Sequence, residues 1–208
     1  MTAVQAPGPA SPPAAPRLAA LVASRICHDL VSPLGAIANG LELMALTGEA
    51  SPESELIAES VASANARLRF FRVAYGISGP GQMTSRAEVA STLQAVSRGS
   101  RLSFDWEPAG EAPREEVRPV FLLLQCLETA MPLGGRIRVT RDDRAWTVTG
   151  HGPSMRVDEA LWLGLQAPDG PSPEAPGLVQ FALLPGLLRE LGRPLALTLG
   201  PQEIVARF

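Results

Sequence analysis

Lysine is absent from this chain of 208 residues, so all 18 of its basic side chains are arginines. A Walker-type phosphate loop, a Schiff base and the strand lysine of protein kinases each need a lysine, and the sequence therefore excludes them. Two cysteines are too few for a disulfide framework or a cysteine-built zinc site, which favours a reducing compartment. The chain also lacks a long apolar run and a signal-peptide pattern. We expect a soluble, cytoplasmic protein.

Basic residues are neither numerous nor clustered. The 18 arginines are opposed by 21 acidic side chains, which gives a formal net charge of −3. This mild acidity argues against nucleic acid or an anionic membrane surface as the main partner. With 46% hydrophobic residues, the chain has enough apolar material to build the packed core of one large or two small domains.

The first part of the chain predicts a tail followed by two helices. Residues 1–16 contain five prolines among alanine, serine and glycine, a composition that favours a flexible tail. From Arg17 to about Thr47, apolar residues recur at spacings of three and four, which predicts a helix. Pro52 begins a second predicted helix, which ends near Tyr75. One seam of this helix alternates strictly by four and three: Ile57, Val61, Ala64, Leu68, Phe71 and Tyr75.

Residues 17–77 are therefore expected to form an antiparallel helical hairpin. Each predicted helix carries one narrow apolar stripe, and a lone hairpin cannot bury both stripes well. A homodimer that closes a four-helix bundle solves this problem, and we take it as the expected assembly.

Residues 82–208 follow a break at Ser78–Gly81 and mix helices with strands. Helices are predicted at 85–97, 115–131, 157–165 and 178–191. Strands are predicted at 102–106, 136–141, 145–149, 195–199 and 203–208. This mixture predicts an α+β fold in which helices cover one face of a mostly antiparallel sheet.

Residues 28–43 read HDLVSPLGAIANGLEL and carry the main chemical signal. On a helical wheel, His28 lies about 170° from the centre of the apolar stripe, so we expect an exposed imidazole. An unshifted imidazole is roughly three quarters neutral at pH 7 and can act as a nucleophile. The adjacent Asp29 is a candidate to orient the ring or accept its proton. Ser32, Gly35 and Asn39 share the exposed face and leave room for another protein to dock.

Arg25 lies one turn before His28 and is a candidate for a contact to a phosphoryl group or to a docked partner. The other histidine, His151, is interpreted as a loop residue after a strand. Cys27 and Cys126 are interpreted as packing residues. Three arginines of the second predicted helix could contact a phosphate or the acidic cleft of a partner, although charged helix faces are usually solvated: Arg67, Arg69 and Arg72.

The run from His28 resembles the phosphoacceptor motif of dimeric sensor histidine kinases, in which His is followed by an acidic residue and, at the fifth position, by Pro. The longer run is similar to histidine phosphotransferases of the ChpT type from alphaproteobacterial phosphorelays. The resemblance implies a phosphoacceptor His28 on a dimeric four-helix bundle. It also implies that residues 82–208 have the α/β sandwich fold of the kinase ATPase domain.

The resemblance also allows a comparison of the nucleotide site. In the kinases an asparagine-rich helix holds magnesium, and Gln125 and Thr129 stand where its two asparagines fall. An Asp-x-Gly-x-Gly strand end reads adenine, and Gly150 and Ser154 replace its Asp and one Gly. The last glycine-rich box is reduced to residues 175–180. Thr129 is a poorer magnesium ligand than Asn, and Gly150 offers no acceptor to adenine, so we expect a degenerate domain.

The expected function is histidine phosphotransfer in a two-component phosphorelay, with no cofactor bound by this chain. His28 would take a phosphoryl group from the receiver domain of an upstream hybrid histidine kinase and pass it to downstream response regulators. Magnesium is expected on the partner receiver. Two alternatives remain at this stage: an ATP-dependent sensor-type histidine kinase, and a non-enzymatic dimeric scaffold that binds response regulators.

Overall fold

The structure is a computed structural model, and it describes residues 25–26, 29–30, 33, 35–37, 40, 43, 52–76, 81–143, 145–167 and 170–208. The described residues between Arg25 and Leu43 are all helical, as the sequence predicts, and are called the N-terminal helix here. The predicted tail at 1–16 and positions 78–80 of the predicted break lie outside the described residues.

Five α-helices follow, with bounds close to those expected from the apolar periodicity. They are α1 (Pro52–Tyr75), α2 (Arg86–Ser97), α3 (Arg114–Ala130), α4 (Glu159–Gly164) and α5 (Val179–Glu190), and a 3₁₀ turn at Pro176–Leu178 precedes α5. The strands are β1 (Met83–Ser85), β2 (Leu102–Trp106), β3 (Glu111–Pro113), β4 (Gly135–Arg141), β5 (Trp146–His151), β6 (Ala196–Leu199) and β7 (Glu203–Arg207).

The main sheet has five strands in the order β2-β4-β5-β7-β6. Only the β2–β4 pair is parallel, and the other three pairs are antiparallel. The expected α+β class and the mostly antiparallel sheet are therefore confirmed. Strands β1 and β3 form a separate two-stranded sheet that the sequence analysis did not predict, because three residues are too short for an alternating pattern.

Helix α3 lies at the centre of the core. It packs on α1, on α5 and on strand β5, and its residues from Val120 to Leu124 are all at most 1% exposed. A helix that is apolar on every side is expected where other elements surround it. The packing of α3 on α1 joins α1 to residues 81–208, which are called the sheet domain here.

Helix α1 buries two faces rather than the single seam expected from the sequence. Ala64 and Phe71 of the predicted seam are buried, but Val61 and Leu68 are 40% and 46% exposed. A second face, which includes Phe70 and Val73, is buried. Phe70 stacks on Phe121 of α3 at a ring-centroid distance of 4.8 Å. The narrow-stripe prediction was wrong for α1 because one face of this helix meets the sheet domain.

The end of β5 also differs from the prediction. The strand was expected to end at Thr149, with His151 in the following loop. His151 is instead the last residue of β5, where it pairs with Arg136 of β4 and Glu203 of β7. Its side chain is exposed.

Candidate functional site

Arg25 and Asp29 form an ion pair on the N-terminal helix. Arg25 Nε lies 2.9 Å from Asp29 Oδ2, and the two side chains are only 14% and 12% exposed. The spacing of four residues places both groups on one face of a helix. Arg25 Nη1 also donates a hydrogen bond to the backbone carbonyl of Gly177, at 3.2 Å. The face that carries Asp29 is therefore turned toward the sheet domain.

Three predicted site residues are described: Arg25, Asp29 and Gly35. The structure brings Arg25 and Asp29 together, and it leaves Gly35 exposed, with no atom of the described residues within 4 Å of the position that a β-carbon would take. The docking role expected of Gly35 stays a prediction. His28, Ser32 and Asn39 lie outside the described residues, so their predicted roles stay predictions.

Arg67 of α1 holds Glu128 of α3 with two hydrogen bonds. Nη2 donates to Oε1 at 3.0 Å and Nη1 donates to Oε2 at 3.3 Å. Burial alone would lower the pKa of the Arg67 guanidinium. The charge and hydrogen bonds of Glu128, together with the charge of Asp29, outweigh burial and raise this pKa. The two ion pairs therefore form one electrostatic cluster between the hairpin and α3.

A chain of buried polar side chains continues from this cluster. Tyr75 donates its hydroxyl proton to Gln125 Oε1. Thr129 Oγ1 donates to the Gln125 backbone carbonyl at 3.0 Å, and Gln180 Nε2 lies 3.2 Å from Thr129 Oγ1. Gln180 Nε2 also donates to the Gly177 carbonyl at 3.0 Å. Gln125 and Gln180 are 1% and 0% exposed, so these bonds are made away from solvent.

Burial sets the ionisation of two groups near this chain. It raises the pKa of the Tyr75 hydroxyl, although the charge of Arg25 acts in the opposite direction. It also raises the pKa of the fully buried Cys126 thiol, which fits the predicted packing role of that residue. Both groups are therefore neutral at physiological pH.

Gly150 lies where the resemblance places the adenine-reading carboxylate, and two side chains crowd the position that a β-carbon would take there. A β-carbon at Gly150 would lie 2.8 Å from Leu127 Cδ2 and 3.1 Å from Met131 Sδ. The residue sits inside β5, between Ile137 of β4 and Ile204 of β7. The side chains of Leu127 and Met131 thus occupy the space next to β5 at Gly150.

The side chains at the positions where the resemblance places the two kinase asparagines also make contacts within the protein. Gln125 accepts from Tyr75 through its side-chain oxygen, the atom that would ligate magnesium. Thr129 is bonded to the Gln125 backbone and to Gln180. Both side chains are therefore engaged within the protein.

Within the described part of the chain, no group of three or more His, Cys, Asp or Glu side chains has the arrangement of a metal site. None of the described helices is long and apolar enough to cross a membrane.

Sequence reasoning missed the residues that join the hairpin to the sheet domain. The sequence analysis predicted no interdomain contact for four of them: Glu128, Tyr75, Gln180 and Gly177. Arg67 was flagged only as a solvated charge or a phosphate contact, and the structure gives it an intrachain partner. Arg25 and Gly177 are 152 positions apart, and no local pattern in one sequence links residues so distant.

Comparison with known proteins places the chain in a family. Residues 86–203 match the family model of the histidine phosphotransferase C-terminal domain. Protein phosphotransferase ChpT of Brucella abortus (strain 2308) is 34% identical over 165 residues, which cover 76% of this chain and 78% of that protein. A solved bacterial phosphotransferase superposes with a TM-score of 0.76 at 30% identity, over 93% of this chain and 96% of the other. The chain therefore belongs to the histidine phosphotransferase family, and it is a phosphotransferase of a phosphorelay.

Proposed function

We propose that His28 is the phosphoacceptor and that the chain moves a phosphoryl group between receiver-domain aspartates. A neutral ring nitrogen of His28 attacks the phosphorus of an aspartyl phosphate. The bond from phosphorus to the aspartyl oxygen breaks, a nitrogen–phosphorus bond forms, and the donor aspartate leaves as a carboxylate. The second half of the reaction reverses these steps on the aspartate of a downstream response regulator.

The position of Asp29 supports this assignment. It is the residue next to His28, and the pairing with Arg25 holds its carboxylate at one place on the helix. We assign Asp29 the role of orienting the imidazole or accepting its proton. The receiver supplies its own magnesium and acidic residues, so this chain needs only a nucleophile and a docking surface.

The packing around Gly150 is the observation that carries phosphotransfer without ATP. Leu127 and Met131 fill the space that a carboxylate at this position would need. The hydrogen bonds of Gln125 and Thr129 to other protein groups support the same conclusion. We therefore propose that residues 82–208 are a degenerate ATPase-like domain kept as a binding module, and that this chain binds no cofactor.

A homodimer is proposed on the exposed face of α1. Val61 and Leu68 are large apolar side chains left open there, and Leu43 on the N-terminal helix is 45% exposed. A groove lined by Asn65, Leu68, Arg69 and Arg72 runs along the same face. Packing two such hairpins together buries these apolar side chains in a four-helix bundle.

Receivers are proposed to dock on the exposed face of the N-terminal helix, at Ser32, Gly35 and Asn39, and on the adjoining sheet domain. The expected partners are the receiver of an upstream hybrid histidine kinase and downstream response regulators in the cytoplasm. Gly35 supports this placement because the space above it is open.

Two labelling experiments test the proposal. The full chain is incubated with labelled ATP and magnesium, and separately with a panel of phosphorylated receiver domains. We expect label only from a receiver. Incorporation from ATP alone would identify a histidine kinase, and binding of receivers with no phosphate on the chain in either arm would identify a scaffold.

A further inference from the structure

The carbonyl oxygen of Gly177 accepts hydrogen bonds from two parts of the molecule. Gln180 Nε2, at the start of α5, donates at 3.0 Å, and Arg25 Nη1 of the N-terminal helix donates at 3.2 Å. The loop before α5 is therefore tied on one side to its own domain and on the other side to the hairpin. This loop corresponds to the last glycine-rich box of the kinase resemblance, which would cover a nucleotide.

Arg25 makes this link with a largely buried side chain. The side chain is 14% exposed, its Nε lies 2.9 Å from Asp29 Oδ2 in an ion pair, and its Nη1 donates a hydrogen bond to the Gly177 carbonyl. The several nitrogens of a guanidinium let it meet a carboxylate and a carbonyl oxygen at the same time, which a single lysine ammonium on a flexible stem does less well. Low exposure also strengthens both contacts, because water screens them less.

Asp29, the other end of the link, is the residue next to His28. Its carboxylate pairs with Arg25, and the hydrogen bond of Arg25 to Gly177 limits rotation of the helix about its axis at that point. Arg67 and Glu128 add a second tie nearby, between α1 and α3, and the charge of Asp29 acts on Arg67. The phosphoacceptor region is thus joined to the sheet domain from both helices of the hairpin.

We propose that Arg25 is a positioning residue for phosphoryl transfer, which bridges Asp29 and the Gly177 carbonyl and so holds the sheet domain at one orientation beside the phosphoacceptor helix. The inference rests on the proposed role of His28. A receiver that touches both the helix and the sheet domain then meets the imidazole at a fixed distance and angle. Misplacement of reacting atoms by about 1 Å can slow a reaction by about a hundredfold, so such a link affects the rate.

The test separates positioning from chemistry at the imidazole. The full chain is loaded with phosphoramidate, a small donor that reports the nucleophilicity of His28 without docking. The phosphorylated chain is then mixed with a receiver domain that the wild type phosphorylates, and the transfer rate is measured over a range of receiver concentrations. Arg25→Ala, Arg25→Lys and Gly177→Ala are compared with Arg207→Ala, which removes an exposed arginine from a surface ion pair.

We expect Arg25→Ala to slow transfer at saturating receiver by at least about tenfold more than it slows loading, because loading registers only the loosened Asp29 carboxylate. Arg25→Lys keeps the positive charge but has a single ammonium group to meet both Asp29 and Gly177. Its transfer rate should therefore lie between those of wild type and Arg25→Ala. Gly177→Ala changes no charge; its β-carbon would lie 3.3 Å from Arg25 Nη1 and crowd the link, so it should slow transfer in the same direction. In Arg25→Ala, hydrogen exchange should rise in the peptide that contains Gly177.

Three results would overturn the inference. Transfer by Arg25→Ala and Gly177→Ala at the rate of Arg207→Ala would show that the link has no effect. Equal slowing of loading and transfer would place Arg25 at the phosphoryl group instead. If Arg25→Ala fails to fold, Gly177→Ala decides the question. A wild-type transfer rate in Gly177→Ala, together with raised hydrogen exchange in the peptide that contains residue 177, would show that loosening the link does not affect positioning. Failure of the proposed function looks different, since the wild type itself would then take no phosphate on His28.

Discussion

The guanidinium of Arg67 meets the carboxylate of Glu128 with two hydrogen bonds, at 3.0 Å and 3.3 Å, and so joins α1 to α3. The two side chains are 26% and 29% exposed, which is intermediate between a surface pair and a buried one. Beside this pair, Phe70 stacks on Phe121. An apolar contact between two aromatic rings and a neighbouring ion pair thus hold α1 against α3.

Removing one partner of this pair should destabilise the protein. We expect Arg67→Ala or Glu128→Gln to lower the free energy of unfolding by about 1–2 kcal/mol, since the remaining group is half-buried and loses its partner. Urea denaturation of the two single variants and the double variant measures the coupling. The exposed pair Arg207–Asp142 is the control, for which about 0.5 kcal/mol or less is expected. Equal coupling in both pairs would contradict the account.

Filling the space at Gly150 should be costly. Gly150→Ala places a β-carbon against Leu127 and Met131, and we expect a loss of about 1–3 kcal/mol in the free energy of unfolding from overpacking. Gly186→Ala is the matched control: it lies within α5 with no atom near its β-carbon position. There the better helix propensity of alanine should give a gain of about 0.5–1 kcal/mol. A neutral Gly150→Ala would show that the site has room.

Tyr75 is the only tyrosine of the chain, so tyrosinate absorbance in an alkaline titration reports this residue alone. Burial raises its pKa above the ordinary value of about 10. A raised pKa contributes stability that is fully present below the unfolded value and is lost as pH rises toward the folded value. We therefore expect Tyr75 to titrate at a higher pH in the native chain than in denaturant, where it should titrate at about pH 10. The free energy of unfolding should fall as the pH rises above about 10. Tyr75→Phe should reduce that alkaline slope. Native and denatured chains titrating together would contradict burial of the hydroxyl.

The proposed dimer predicts a difference between two exposed leucines. Leu68 is 46% exposed on the face of α1 assigned to the bundle, and Leu133 is 60% exposed in the turn after α3. We expect Leu68→Arg to shift the chain to monomers in sedimentation experiments, because a charge would be buried between two hairpins. Leu133→Arg should stay dimeric. A wild-type chain that sediments as a monomer would contradict the proposed dimer.

The local elements could be predicted from the sequence because their signals are local. Ser85 caps α2 by accepting a hydrogen bond from the Glu88 amide at 3.1 Å, and runs of apolar residues indicate α3 and α5. The faces that these elements turn toward one another could not be predicted. Helix α1 carries two buried stripes, and its sequence does not show which one meets α3.

The site could be predicted in part for the same reason. The spacing of Arg25 and Asp29 allows an ion pair within one helix. Their link to Gly177 depends on how two distant segments pack, and the role of Gly150 depends on the side chains of Leu127 and Met131 that surround it. The motif at 28–43 indicated the family, but the contacts that hold that helix in place were visible only in the structure.

The central claim is that His28 carries the phosphoryl group, and mapping the phosphate tests it most directly. The chain has two histidines, which allows a matched pair of variants, His28→Ala and His151→Ala. Each is incubated with phosphorylated receivers, and the modified residue is located by mass spectrometry under alkaline conditions. We predict an acid-labile, alkali-stable phosphate on His28 in the wild type and in His151→Ala, and none in His28→Ala. Phosphate that persists in His28→Ala, or that maps to His151, would contradict the account.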